Sequence, residues 1–526
     1  MDACSLIGLR RRHLPGAAWT PWLGAAALLA CAAAQAQDGG GGSTRSTSLS
    51  ASVETGLSYV VDSRRKGFSG GEFVASVQPG LRLESRSGRV VGSLSYSPSI
   101  AYHSRGYGGD DIQNQLSGNL SAELIERWFY VDAAASITQQ TVSAFGVQSA
   151  PGSLQDNNNR TEVGTLSVSP YVRGVLGSAV SYEARLNASE TNGRRSIASD
   201  SSARGGSLSL SSAVSGALLG WGLQATHQQN DFRAGRQTTS DRAVASLQFV
   251  PDADLILTLR GGQEANDVAT ASRKTYANWG VGASWRPSPR TRLQADTDDR
   301  YFGRSYRVLL EHRLASSSIS FSSTRDVNNG SDANGGFSSS SGGGLSSPRL
   351  TLYDVFFAQQ ASTTPDPVQR DLVVRNFLRA QGLDPNAVVA GGFVNSAVTV
   401  QERHQLTLSY AGLRMAGSLQ VFLTDTEVID ALARNPRLGP TRQWGGLANA
   451  SYRLSPTESV ALTGSRLLTR GNGVLAGSTL DAVTLSYANS LGRRTTLSVG
   501  ARYSIFDSVS EPYKEAAIFA SLNQRF

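Results

Sequence analysis

The chain has 526 residues, of which 17% are charged, and a formal net charge of +8 at pH 7. So dilute a positive balance provides no basic stripe of the kind nucleic acids select, and no nucleic-acid partner is expected. Both cysteines, Cys4 and Cys31, precede Ala36, so the remainder holds no disulfide framework and no thiolate metal site.

The chain opens on a secretory pattern. Arg10, Arg11 and Arg12 form a cationic start, Trp19 to Ala33 an alanine-rich apolar core, and Ala34-Gln35-Ala36 a small-x-small cleavage site. Residues 1–36 are read as a signal peptide and 37–46 as a short linker. The alternative reading takes Leu28-Leu29-Ala30-Cys31 as a lipoprotein signal acylated at Cys31. Further on, no run of about 18 apolar residues occurs, so nothing there can cross a membrane as a helix.

From Thr47 the dominant pattern is strict alternation, the period of a β-strand with two unlike faces. Val180, Tyr182, Ala184 and Leu186 alternate with Ser181, Glu183, Arg185 and Asn187. Leu255, Leu257 and Leu259 repeat the pattern, as do Leu497, Val499, Ala501, Tyr503 and Ile505 against Ser498, Gly500, Arg502 and Ser504. These runs are roughly twice the usual strand length of about 5–6 residues, and match the ~10 residues that a tilted strand needs to cross a bilayer.

Connections alternate in length as well. Arg86 to Arg89, Glu126-Arg127, Pro251 to Asp254, Pro287 to Arg290, Ser455 to Glu458 and Leu491 to Arg494 read as tight turns. Ser63 to Gly71, Thr141 to Arg160, Asn192 to Arg204, Val327 to Pro348 and Gly471 to Gly477 read as long loops. This predicts an all-β fold over 47–526: a large closed antiparallel transmembrane barrel of about 22 strands, within 20–24, with short periplasmic turns and long outer loops. Trp128, Trp221, Trp285 and Trp444 are placed near periplasmic ends and Tyr59, Tyr301 and Tyr513 near outer ends, as two girdles. Pro79, Pro98 and Pro170 oppose the pattern locally, because proline cannot donate to a ladder.

One segment breaks the period. Within the loop 327–395, residues 350–392 are read as a helical insertion, with Asp366-Pro367 as its capped start and Gly382 and Pro385 as its stop. Leu372, Val373, Phe377 and Leu378 form its apolar stripe. The stripe fits either a plug folded into the lumen or a cap over the mouth, since ~22 strands would otherwise enclose a wide pore.

Catalytic motifs are absent or out of place. Gly67-Phe68-Ser69-Gly70-Gly71 fits G-x-S-x-G but sits in a glycine-rich loop, not on a strand-to-helix turn. His103, His227, His312 and His404 fall on separate strands and are read as wall residues. A membrane lipase would need a Ser/His pair with an orienting group, which sequence alone does not place. No enzymatic activity, cofactor or metal is expected. The candidate lumen-facing charges are Asp296, Asp298 and Arg300 on one strand and Arg307, Glu311 and Arg313 on the next, which either stiffen the wall or sort solutes.

The run Ala122-Glu123-Leu124-Ile125-Glu126-Arg127-Trp128-Phe129-Tyr130-Val131-Asp132, with Gln139-Gln140 and Ala144-Phe145-Gly146, resembles the PEP-CTERM/exosortase-system-associated outer-membrane protein family. Asn159 to Val163, Ser167 to Tyr171 and Asp366-Pro367 to Gly382-Leu383 continue the resemblance. It implies a Gram-negative outer-membrane barrel in a cell that makes exopolysaccharide, with the polymer or export-system proteins as partners, and brings no catalytic residues.

The last strand closes this reading. Ile518, Ala520, Leu522, Gln524 and Phe526 share one face, and Ile518, Leu522 and Phe526 are the expected signal to the barrel-insertion machinery. Outer-membrane lipid is the other expected partner. The expected function is channel-like, with a non-conducting docking barrel as the alternative. The short span 37–46 leaves no room for an N-terminal plug domain, which argues against a TonB-type receptor.

Overall fold

The computed structural model describes residues 46–63, 71–86, 88–105, 112–153, 158–194, 200–212, 218–328, 350–351, 374, 388–390, 393, 397–430, 432, 439–492 and 494–526. The first strands are β1 (Ser46–Asp62), β2 (Glu72–Arg86), β3 (Val90–Tyr96), β4 (Ser99–His103), β5 (Ile112–Gln113), β6 (Leu116–Ile125), β7 (Phe129–Thr141), β8 (Arg160–Leu176) and β9 (Val180–Gly193). Next come β10 (Ser201–Ser212), β11 (Leu219–Phe232), β12 (Gln237–Asp252), β13 (Leu255–Asn266), β14 (Lys274–Ser288), β15 (Thr291–Arg300), β16 (Gly303–Arg313) and β17 (Ser317–Asn328). After the short pair β18 (Leu350–Thr351) and β19 (Val388–Ala390) follow β20 (Thr399–Ala411), β21 (Met415–Val428), β22 (Thr441–Arg453), β23 (Glu458–Arg470), β24 (Ser478–Ser490), β25 (Thr495–Ser508) and β26 (Tyr513–Arg525).

All strands but β18 and β19 join one antiparallel sheet. Both β3 and β4 pair with β2, and β5 and β6 pair with β4 and β3 in turn, so each couple is one interrupted stave and the barrel has 22. Pairing of Ser52–Asp62 with Glu515–Arg525 closes the sheet and leaves no edge. Short turns gather at one end with both termini of the barrel. The longer connections, which join β7 to β8, β17 to β20 and β21 to β22, leave and re-enter the sheet at the other, the loop end.

The alternation in the sequence becomes the two faces of the wall. Leu57, Leu259, Leu485 and Ile518 point outward and are 50–64% exposed. Glu264, Gln420 and Ser504 point inward and are at most 1% exposed. Ile518, Leu522 and Phe526 lie on the outward face of β26, and the Phe526 amide extends closure by donating to Ala51 O at 2.9 Å.

The three prolines fit in different ways. Pro79 stays in β2, opposite Val53. Pro98 falls in the break between β3 and β4, where Ser97 N still donates to Gln115 O at 2.9 Å. At Pro170 the β8–β9 ladder lapses and resumes at Tyr171 opposite Arg185, the local cost of a residue with no N–H.

Three aromatic placements differ from expectation. Trp444 stands close to Thr441, where β22 enters from the loop end, not the turn end: the 429–440 connection fixes that direction. Tyr513 and Tyr301 are at the loop end but pack inward. Tyr513 joins Leu480, Phe506 and Val147, while Tyr301 packs on Phe232, Val268 and Val398.

Of the segment 350–392, the ends are strand: β18 and β19 pair antiparallel. Val374 has helical backbone and is 1% exposed. Leu372, Val373, Phe377 and Leu378 lie outside the described residues, as do residues 1–45 with the expected signal and linker. Nearby, Phe393 bridges Thr141, and β19 packs against β22.

The outward face dictates one result. Leu485→Arg, aimed into lipid from the middle of β24, should destabilise the barrel by about 2–4 kcal/mol, whereas Thr484→Arg on the inward face should cost far less. Urea titration of the protein refolded in vesicles distinguishes the two.

Candidate functional site

The strongest concentration of charge in the described lumen lies on β12 to β17. Arg260 on β13 reaches across β14 to two carboxylates of β15. Its Nε donates to Asp298 Oδ1 at 2.8 Å and its Nη1 to Asp296 Oδ1 at 3.0 Å. The intervening positions are Gly280, directly opposite both Arg260 and Asp298, and Gly282, opposite Asp296. A Cβ at either glycine would collide with the carboxylate beside it, so the missing side chains on β14 are what let the guanidinium cross the strand.

Arg300 anchors the loop end of this network. It grips Glu264 through Nη2 at 2.7 Å and Nε at 3.1 Å, and donates from Nη1 to Asp326 at 2.7 Å. The paired fork geometry suits a guanidinium and a carboxylate, and burial strengthens it. At the adjacent turn, burial pushes the Tyr301 phenol above its ordinary range; Arg300 opposes this, and Glu264 and Asp326 add to it.

The six candidate charges are thus split. Asp296, Asp298 and Arg300 join one network, and Arg307 stands opposite Asp296 in the ladder. Glu311 faces Arg292 across the ladder and Arg313 sits at the turn end; neither makes an ion pair among the described residues. Arg242, Arg260 and Glu264 complete the network and were missed. The positions of Arg260 and Glu264, on the face of β13 opposite Leu255, Leu257 and Leu259, were legible, but their reach across a strand was not.

A second cluster lines β7 to β9. Arg185 Nη1 donates to Asp132 at 2.8 Å and Nε to Glu183 at 3.1 Å, while its guanidinium lies 3.8 Å from the Tyr171 ring centroid. Tyr171 stacks on Tyr130 at 5.1 Å, and Arg173 covers Tyr130 at 4.3 Å. Charge and aromatic faces here satisfy each other.

The wall of β20 to β22 is different in kind. Its inward face carries Gln401, Arg403, Gln405, Thr407, Gln420, Thr424 and Gln443, with Arg403 the one charge among them. Arg403 donates to Gln405 Oε1 at 3.0 and 3.2 Å. Both ends of the buried Gln420 amide and the Thr424 hydroxyl have no hydrogen-bond partner among the described residues.

The loop end narrows the lumen. Residues 142–153 turn inward: Tyr513 Oη donates to Gln148 O at 2.6 Å, and Ser153 Oγ reaches Glu515 at 3.4 Å, itself held by Arg502 at 2.8 Å. Arg236 ties three connections together through Asp430 at 2.8 Å and the Val268 carbonyl at 2.9 Å. The described part of the long loop expected from 141 to 160, residues 142–153, therefore lines the mouth, and so does Asp430 just after β21. Among the described residues no group of His, Cys, Asp and Glu could hold a metal.

No protein-family model matches the sequence, and no curated protein does. Solved structures of similar architecture include the siderophore receptor PirA from Pseudomonas aeruginosa, with a TM-score of 0.42 and 11% identity over 91% of this chain and 80% of that one. The FrpB iron transporter from Neisseria meningitidis in its apoprotein form gives 0.47 and 11% over 91% and 81%. OccK3 from Pseudomonas aeruginosa gives 0.29 and 13% over 91% and 96%.

The Arg300–Glu264 pair yields a prediction. Arg300→Met leaves the Glu264 carboxylate buried without its cation and should cost about 3–5 kcal/mol, while Arg300→Met combined with Glu264→Leu should recover most of that. Chemical denaturation of the three proteins measures both values.

Proposed function

We propose that the chain is a Gram-negative outer-membrane barrel with a channel-like lumen. The carrying observation is the closed wall of 22 staves, apolar outward and polar inward, with residues 142–153 drawn across its mouth. Short turns, both barrel termini and the Phe526 signal belong on the periplasmic side, and the loop end outside. The ion-paired wall of β12 to β17 and the polar wall of β20 to β22 are the surfaces a passing solute would meet. In this reading the resemblance to exosortase-associated proteins supplies the cargo: exopolysaccharide, exported or assembled at the cell surface.

The inward turn of residues 142–153, held by Tyr513 and Glu515, favours a second reading, a barrel closed at rest that serves as a docking platform.

Single-channel recording separates the two. The purified barrel in a planar bilayer should conduct, and a variant lacking residues 350–392 should conduct more, if the insertion narrows the lumen. Absence of current from both proteins overturns the channel reading and leaves the docking one.

A further inference from the structure

On the outward face, at the border between apolar wall and loop end, three side chains form a relay that no lipid-facing surface requires. Ser323 on β17 stands opposite His404 on β20, and its Oγ lies 2.8 Å from Nδ1 of the imidazole. The other ring nitrogen, Nε2, lies 3.1 Å from Glu402 Oε1. Glu402 is fixed in turn by the Tyr306 hydroxyl, which donates to it at 2.7 Å, and by Arg325, whose Nε is 3.8 Å from Oε2. Hydroxyl, imidazole and carboxylate in series are the parts of an activated serine nucleophile, recognised by geometry and not by order in the chain.

The other described histidines lack one part or another. His227 meets Asp241 at 2.6 Å but no hydroxyl, and His312 meets Thr291 at 2.9 Å but no carboxylate. His103 is inside the barrel beside Glu72. Among the described residues, only His404 joins a hydroxyl to an acid.

The surroundings define the substrate. On the turn side of the relay, the same outward face carries Ile319, Phe321, Leu406 and Leu408, a surface for acyl chains. On the loop side it carries Arg304 and Arg325, cations at the height of a phosphate or sugar head group. An ester carbonyl joining those two halves would lie level with Ser323. We propose that this face is an esterase site acting on the acyl esters of phosphate-bearing lipids in the surrounding leaflet, a function beyond passage through the lumen and contrary to the expectation of no enzymatic activity.

In the tautomer that carries its proton on Nε2, His404 donates to Glu402 and accepts from Ser323. Ser323 Oγ then attacks the ester carbon while its proton passes to Nδ1, and Glu402 holds the resulting imidazolium. Backbone amides of the wall are committed to the ladder, so the developing oxyanion needs a side-chain donor; Arg325, two residues along the same face from Ser323, is at hand. Collapse breaks the bond to the alcohol oxygen, which leaves with the proton from His404. Water, deprotonated by His404, attacks the acyl-serine; Ser323 regains its proton and the fatty acid departs. Ser323 and His404 are the catalytic residues, and Glu402 is a positioning residue.

The test uses the full-length protein in mixed micelles, with phosphatidylethanolamine in one arm and lipopolysaccharide in the other. Fatty-acid release is followed together with covalent labelling by a fluorophosphonate probe, mapped by mass spectrometry. We expect release from one lipid or both, the active arm identifying the source, and label on Ser323. Ser323→Ala and His404→Gln should lose at least ~100-fold in release, and Glu402→Gln should lose less while shifting the pH profile. Thr291→Ala, with the same heat-modifiable migration, should match the wild type. Absence of release and label in both arms, or activity that survives Ser323→Ala, overturns the proposal. Conductance plays no part in the readout, so the channel reading and this one stand or fall separately.

Discussion

Each peptide group that a strand carries into hydrocarbon must find its partner on a neighbouring strand, because lipid offers none. The pairing of β1 with β26 is where this chain meets that demand, and every other feature follows from it. Closure turns a two-faced sheet into an inside and an outside. Residues such as Leu485 and Ile518 then meet lipid, while Arg260 and Glu264 are confined to a lumen where their charges must be answered by other charges.

Confinement explains the style of the interior. Carboxylates and guanidinium groups on β12 to β17 are arranged so that nearly every strongly buried charge has a partner, and Gly280 and Gly282 are spent on making one of those pairings possible. On β20 to β22, where Arg403 is the one charge among the inward-facing residues named, amides and hydroxyls make up the rest of that face. The loop end is built by the same logic: Tyr513, Glu515 and Arg236 each use an inward-facing polar group to draw a connecting segment into the mouth.

Much of this is legible in the sequence, because a period of two has one physical meaning. The alternation at Val180–Leu186 and Leu497–Ile505 set the two faces, and the alternation of turn and loop lengths gave the direction of most strands and a count of about 22 within 20–24. What escaped depends on neighbours remote in sequence. Nothing near Arg260 announces that its partners are on β15, and nothing in the loop after Thr141 announces that it bends toward Tyr513. Trp444 was assigned to the wrong end because its rank among aromatics carries no direction. His404 is read as an ordinary wall residue until strand pairing across the long 329–398 connection sets it face to face with Ser323.

The central claim is that one face of each stave meets lipid and the other meets the lumen. The chain has no cysteine after Cys31, so single cysteines can be placed along β17 and spin-labelled without background. In bilayers, labels at Ile319 and Phe321 should be relaxed by lipid-dissolved oxygen, and labels at Ser318, Ser320 and Ser322 by a water-soluble nickel chelate, alternating residue by residue. Uniform accessibility along the strand, or alternation in the opposite phase, would contradict the account.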